Sequence, residues 1–183
     1  MDINSKIRYF DYFISRVIYT MFDNGQSVWN EVVMENVDKC RLNKLKLLKL
    51  LFFVSAKNVS GEYLLDDIFD NFYAMPYGPV ESDVYNHINE TPNYLIGTSD
   101  IALRTGKLLC LDLDRDICAR IDNSIIAVNE VNPNLFRMDT FDLVELSHKS
   151  DSWRIAFAEA QRQGKFSIQM PKEVIKRTTV YYK

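Results

Sequence analysis

Leu42-Asn43-Lys44-Leu45-Lys46-Leu47-Leu48-Lys49-Leu50-Leu51-Phe52-Phe53-Val54 is the stretch on which the fold turns. Its apolar residues are too dense for an alternating strand, and wound as a helix they cover most of the circumference. Such a helix is packed on several sides, so this segment is predicted to be the central helix of the core. Lys46, Lys49 and Lys57 fall on one narrow stripe with Phe53 between them. A lysine stripe is ordinarily a solvated face. An aromatic ringed by cations resembles an interface anchor with a charged rim instead. On that reading Phe53→Ala weakens partner binding without unfolding the chain.

Toward the N-terminus, Ile7, Phe10, Ile14, Val17, Ile18 and Met21 recur at helical spacing. They predict a helix over Ser5–Phe22, capped by Asn4 and ended near Gly25. A polar stretch from Gln26 to Arg41 follows, read as a short helix with a loop. Toward the C-terminus, Gly61 breaks the helical pattern and Asn71–Met75 reads as a short strand. Tyr77-Gly78-Pro79 is a turn, and Pro79 suits the first turn of a helix through Val80, Val84, Tyr85 and Ile88. Arg104-Thr105-Gly106-Lys107 is placed to close a small hairpin.

Ile117, Ile121, Ile125 and Val128 mark another amphipathic helix. Asp139 caps a short one carrying Phe141, Val144 and Leu146, a third runs from Ser152 to Arg162 and ends at Gly164, and Pro171 opens a last turn or two. Residues 1–183 thus read as a mainly α, single-domain helical bundle with a few short β-strands.

At 183 residues, 47% of them hydrophobic, the chain buries enough surface to fold without disulfides or metal. Twenty-two Lys and Arg against 25 Asp and Glu leave a net charge of −3, which gives no long-range attraction to phosphate backbones. Nucleic acid is therefore not expected as a partner. Cys40, Cys110 and Cys118 read as reduced, mostly buried thiols. The polar start and the short apolar run Leu47–Val54 predict a cytoplasmic protein with no membrane partner.

Motifs for chemistry are missing. Two His (His87, His148) and three scattered Cys make no zinc spacing. Asp112-Leu113-Asp114-Arg115-Asp116 opens like a calcium loop, but Ile117 and Asn123 stand where Gly and Glu are needed, so it reads as a charged turn capping the next helix. The glycines are isolated, so nothing cradles a phosphate as nucleotide loops do. Ser147 and His148 are adjacent, and adjacent helical side chains face different ways. No cofactor, metal or catalytic residue is expected.

Three segments in order resemble the Panacea-domain family, which includes SocA-like and phage-associated GepA-like proteins. They are Asn43–Phe53, Phe72-Tyr73-Ala74-Met75-Pro76-Tyr77-Gly78-Pro79-Val80 with Val84-Tyr85, and Leu143-Val144-Glu145-Leu146-Ser147-His148-Lys149-Ser150-Asp151-Ser152-Trp153. The resemblance is strongest over residues 43–175, with 1–42 as an N-terminal helical extension. Ser152 stands where the family often has Pro. The resemblance implies a bacterial antitoxin, often phage-associated, that neutralises a cognate toxin by direct binding in a type II toxin–antitoxin system. One relative delivers its toxin to an ATP-dependent protease, which adds a protease as a candidate partner, and an enzyme that reverses a toxin's modification is the remaining alternative. A homodimer is also open. The binding residues read from the sequence are Phe53, Lys46, Lys49 and Lys57, with the terminal aromatics Tyr181 and Tyr182. Tyr77, Trp153 and His148 are expected as core or capping groups.

Overall fold

The computed structural model describes residues 1–23, 25 and 28–183. Its mainly α architecture agrees with the sequence reading. Among the described residues there are eight α-helices and five short strands: α1 (Ile3–Phe22), α2 (Trp29–Asn36), α3 (Lys44–Ser55), β1 (Phe72–Met75), β2 (Gly78–Glu81), α4 (Ser82–His87), β3 (Tyr94–Ile96), β4 (Ile101–Leu103), α5 (Arg115–Val131), α6 (Thr140–His148), α7 (Asp151–Arg162), β5 (Ile168–Gln169) and α8 (Lys172–Arg177).

α3 is the central helix, as its apolar density predicts. Asn43 caps it by accepting a hydrogen bond from the Lys46 amide, and every residue from Lys46 to Ser55 is buried. It packs against β2, α5 and α6. α1 lies across α2, α4 and α5, burying Phe10, Phe13, Ile14, Val17 and Ile18 without exposure. One hydrophobic cluster runs from Ile7 on α1 to Ile175 on α8.

Several boundaries move. α1 starts at Ile3 with Asp2, not Asn4, as its cap, because the Asp2 carboxylate accepts from the Ser5 amide. The polar stretch expected from Gln26 begins outside the described residues and contains α2. Pro79 opens no helix. It sits in β2 opposite Ala74, and α4 starts only after Glu81, whose carboxylate caps it. The small hairpin turns at residues 97–100 between β3 and β4, not at 104–107, so Arg104–Lys107 follow its second strand. Asp114 caps α5 by accepting from the Asp116 and Ile117 amides, as the charged-turn reading holds. β5, which the sequence reading did not include, adds antiparallel to β1 and makes the sheet order β2-β1-β5.

Of the three thiols only Cys40 is buried. Cys118 is half-buried and Cys110 exposed, which corrects the expectation that most are buried. No helix among the described residues is long and apolar enough to cross a membrane.

Candidate functional site

The three motif segments meet at the β1–β2 hairpin. The turn Pro76-Tyr77 joins Met75 to Gly78, and Gly78 takes φ 94°, a conformation that suits glycine alone. A Cβ there would stand 2.3 Å from Ser147 Oγ and 3.2 Å from Lys49 Nζ. Gly78 is thus the point where the hairpin presses onto α3 and α6. Gly78→Ala is expected to cost about 1–3 kcal/mol by overpacking, on top of its backbone strain. A thermal melt reads that loss, and adding Ser147→Ala, which removes the clashing hydroxyl, should restore part of it.

Two helices hold the hairpin by its carbonyls. Lys49 Nζ donates to the Pro79 carbonyl at 2.6 Å, and Trp153 Nε1 donates to the Met75 carbonyl at 3.0 Å. These carbonyls flank the turn, one on each strand, so the hairpin is clamped from α3 and from α7. Lys49 has no exposure, and burial pushes its ammonium down to about 7. Trp153 is 8% exposed and stacks between His148 (4.0 Å, 10° between planes) and Phe157 (4.9 Å, 12°). His148 Nε2 is buried without a hydrogen-bond partner. Burial holds this imidazole below its ordinary value, the Lys49 charge adds to that, and Glu145 opposes it. His148 thus presents an uncharged ring to Trp153 near neutral pH. Ser147 is fully buried and donates to the Val144 carbonyl at 2.7 Å.

The clamp presents Tyr77 to solvent. That ring is 61% exposed, which corrects its expected place in the core, whereas Trp153 is buried as expected. Phe166 is 73% exposed, and it lies at the same end of the sheet, since Ile168 two residues on pairs with Ala74. Phe141, expected among the inward positions of its helix, is 69% exposed. With Glu145 and His148 it forms the outward stripe of α6 at helical spacing. The hairpin tip, the segment before β5 and the outward stripe of α6 therefore each carry a large apolar ring, Tyr77, Phe166 and Phe141, that the described residues do not cover.

The stripe read from the sequence is not a surface. Phe53 and Lys49 have no exposure and Lys46 is 3% exposed, because β2, α5, α6 and the C-terminal tail pack around α3. Phe53 lies edge-on to Phe52 and meets Tyr182 at 5.9 Å, while the Tyr182 hydroxyl donates to the Phe53 carbonyl at 3.1 Å. Lys57 Nζ stands 5.3 Å over the Tyr182 ring. Phe53, Lys57 and Tyr182 are therefore brought together, but as a clasp of the tail on its own core. Tyr181 beside them is 42% exposed.

One buried charge cluster escaped the sequence reading. Lys6 Nζ is bonded to Asp70 (2.8 Å), Glu81 (2.8 Å) and Asp83 (2.7 Å). Those carboxylates are the one group among the described residues spaced to hold a metal ion, and the ammonium sits in their midst. The available signal was that Lys6 lies four residues before Phe10 on the apolar stripe of α1. Asp11 lies on that stripe too. It is buried, accepts from the Asn93 amide and side chain at 2.7 Å each, and burial raises its carboxyl to about 6.

A family model described as "Antitoxin SocA-like, Panacea domain" matches residues 47–154. The matched span runs from α3 into the first turn of α7, so it holds Lys49, the whole hairpin, His148 and Trp153. No curated protein and no solved structure matches the chain.

Proposed function

This chain belongs to the family of SocA-like, Panacea-domain antitoxins, and from that premise we propose that it neutralises a cognate toxin protein by direct binding, as half of a type II pair. The observation that supports binding through this site is the clamped hairpin. Its two flanking carbonyls are fixed by Lys49 and Trp153, so Tyr77 is held out at low entropic cost, as an interface anchor requires. Phe166, at the same end of the sheet, supplies further exposed apolar area. Lys49 and Ser147 are sealed in the interior and occupied with carbonyls, so in this reading they build the platform and carry out no reaction.

Co-expression with the product of each adjacent gene is expected to give a stoichiometric complex and to restore growth. Tyr77→Ala should weaken that complex by about 2 kcal/mol, roughly thirtyfold. Its melting temperature should stay unchanged, because the ring is 61% exposed. Full affinity in both Tyr77→Ala and Phe166→Ala would reject this surface. Failure to find a complex or growth rescue with any neighbour would reject toxin binding itself. Rescue at far less than one molecule per toxin would point to catalysis, and a toxin half-life shortened by this chain would point to delivery to a protease.

A further inference from the structure

A cavity of about 250 Å³ opens between the end of α1, the turn before α3 and the start of α6. Its lining carries four cations, Lys39, Arg41, Lys46 and Arg137, against one acid, Asp139. Lys46 is 3% exposed, yet its ammonium makes no hydrogen bond or ion pair among the described residues. Its Nζ is not sealed in the interior but faces this open cavity, so the charge is left to whatever fills that space. Burial depresses this ammonium, Cys40 and Asp139 oppose that, and the Arg41 charge adds a smaller push downward.

Two further features converge on the same space. Arg41 holds φ 51°, a left-handed conformation that a side chain rarely adopts, and such strain persists where the surroundings impose it. The nine-residue helix α6 starts at the cavity wall, where Asp139 and Thr140 line it. Asp139 occupies the capping position, but its carboxylate makes no capping bond. The amides of Thr140, Phe141 and Asp142 therefore have no acceptor among the described residues. An open helix N-terminus favours negative charge, and guanidinium forks suit oxyanions with several acceptor oxygens.

We infer that this cavity binds a phosphate-type oxyanion, free or as the ester of a small metabolite, held by Lys46, Arg41, Arg137 and the open amides of α6. The space would hold about eight waters at about 30 Å³ each, more than a bare phosphate fills, so an ester arm has room. Oxyanion binding here does not depend on whether a toxin is bound at the hairpin.

Titration calorimetry of the full chain tests this with two probes, inorganic phosphate and adenosine 5′-monophosphate, in chloride buffer at constant ionic strength. Saturable binding is expected, weakened about thirtyfold or more by Lys46→Met. Arg41→Gly removes a rim cation while relieving the left-handed backbone, so it should fold as well as the parent and bind several-fold more weakly. Tighter binding of the nucleotide identifies an ester as ligand, and equal binding identifies phosphate alone. Absence of saturable binding with both probes, or equal affinity in the parent and Arg41→Gly, overturns the assignment even if Lys46→Met fails to fold.

Discussion

Lys6→Met is expected to lower stability by about 3–5 kcal/mol, enough to leave much of a marginally stable domain unfolded. The ammonium is 2% exposed and Glu81 has no exposure, so the pair is buried together, while Asp70 and Asp83 close the cluster at its wetter side. Removing the cation leaves three carboxylates whose oxygens lie within 4.8 Å of one another. The loss would also spread beyond α1, because Glu81 caps α4 and accepts from the Asn71 amide. Burial opposes charging of Lys6, but its three carboxylates outweigh that and hold it above its ordinary value of 10.5. A raised lysine contributes stability that is fully present below 10.5 and is lost as pH climbs toward the folded-state value. The parent should therefore hold this contribution across neutral pH and lose it only in strong alkali. The variant should respond in the opposite direction to acid. Burial already raises Glu81, so acidification toward pH 4 would protonate it and relieve the repulsion. Thermal melts of both proteins from pH 4 to 11 read these slopes. A variant that melts like the parent at neutral pH would show the cluster to be dispensable.

The fold was legible where a pattern is local. The density of apolar residues in α3, the charged turn whose Asp114 caps α5, and the helical spacing in α1 and α5 all act within one or two turns of chain. What could not be read depends on partners far along the sequence. Lys6 finds its carboxylates 64 to 77 positions away, and Lys49 finds the Pro79 carbonyl 30 positions on. Spacing alone marks Lys49 as a candidate for a solvated face and sets Lys6 on the apolar stripe of α1, but nothing nearby in sequence shows which buried acceptor waits for either. Pro79 misleads for a related reason. Its fixed φ suits a helix start and also a strand residue, and only the pairing with Ala74 decides between them. The candidate site shows the same division. The motif segments were legible as segments, but their meeting at Gly78 is a tertiary fact. The exposure of Tyr77 follows from a clamp whose two donors, Lys49 and Trp153, lie on helices more than a hundred residues apart.

Phe53→Ala is expected to cost about 3–5 kcal/mol, the range for emptying a fully buried aromatic position. The ring has no exposure and packs against Phe52 and Tyr182, so truncation leaves a cavity bounded by helix α3 and the C-terminal tail. The tail should loosen with it. Tyr182 would keep its hydroxyl bond to the residue 53 carbonyl but lose the ring that supports its own, and the Asn132 side chain holds the Tyr182 carbonyl at 2.6 Å from the other side. A reading of residue 53 as an exposed anchor predicts the reverse, with weaker partner binding and an unchanged melt. Urea unfolding of the parent, Phe53→Ala, Tyr182→Ala and the double variant separates the two. The core reading expects a large fall in midpoint for Phe53→Ala and a coupling of about 0.5–1.5 kcal/mol between the two rings. An unchanged midpoint with zero coupling would return Phe53 to the surface and undo the tail clasp, since both depend on the same contact.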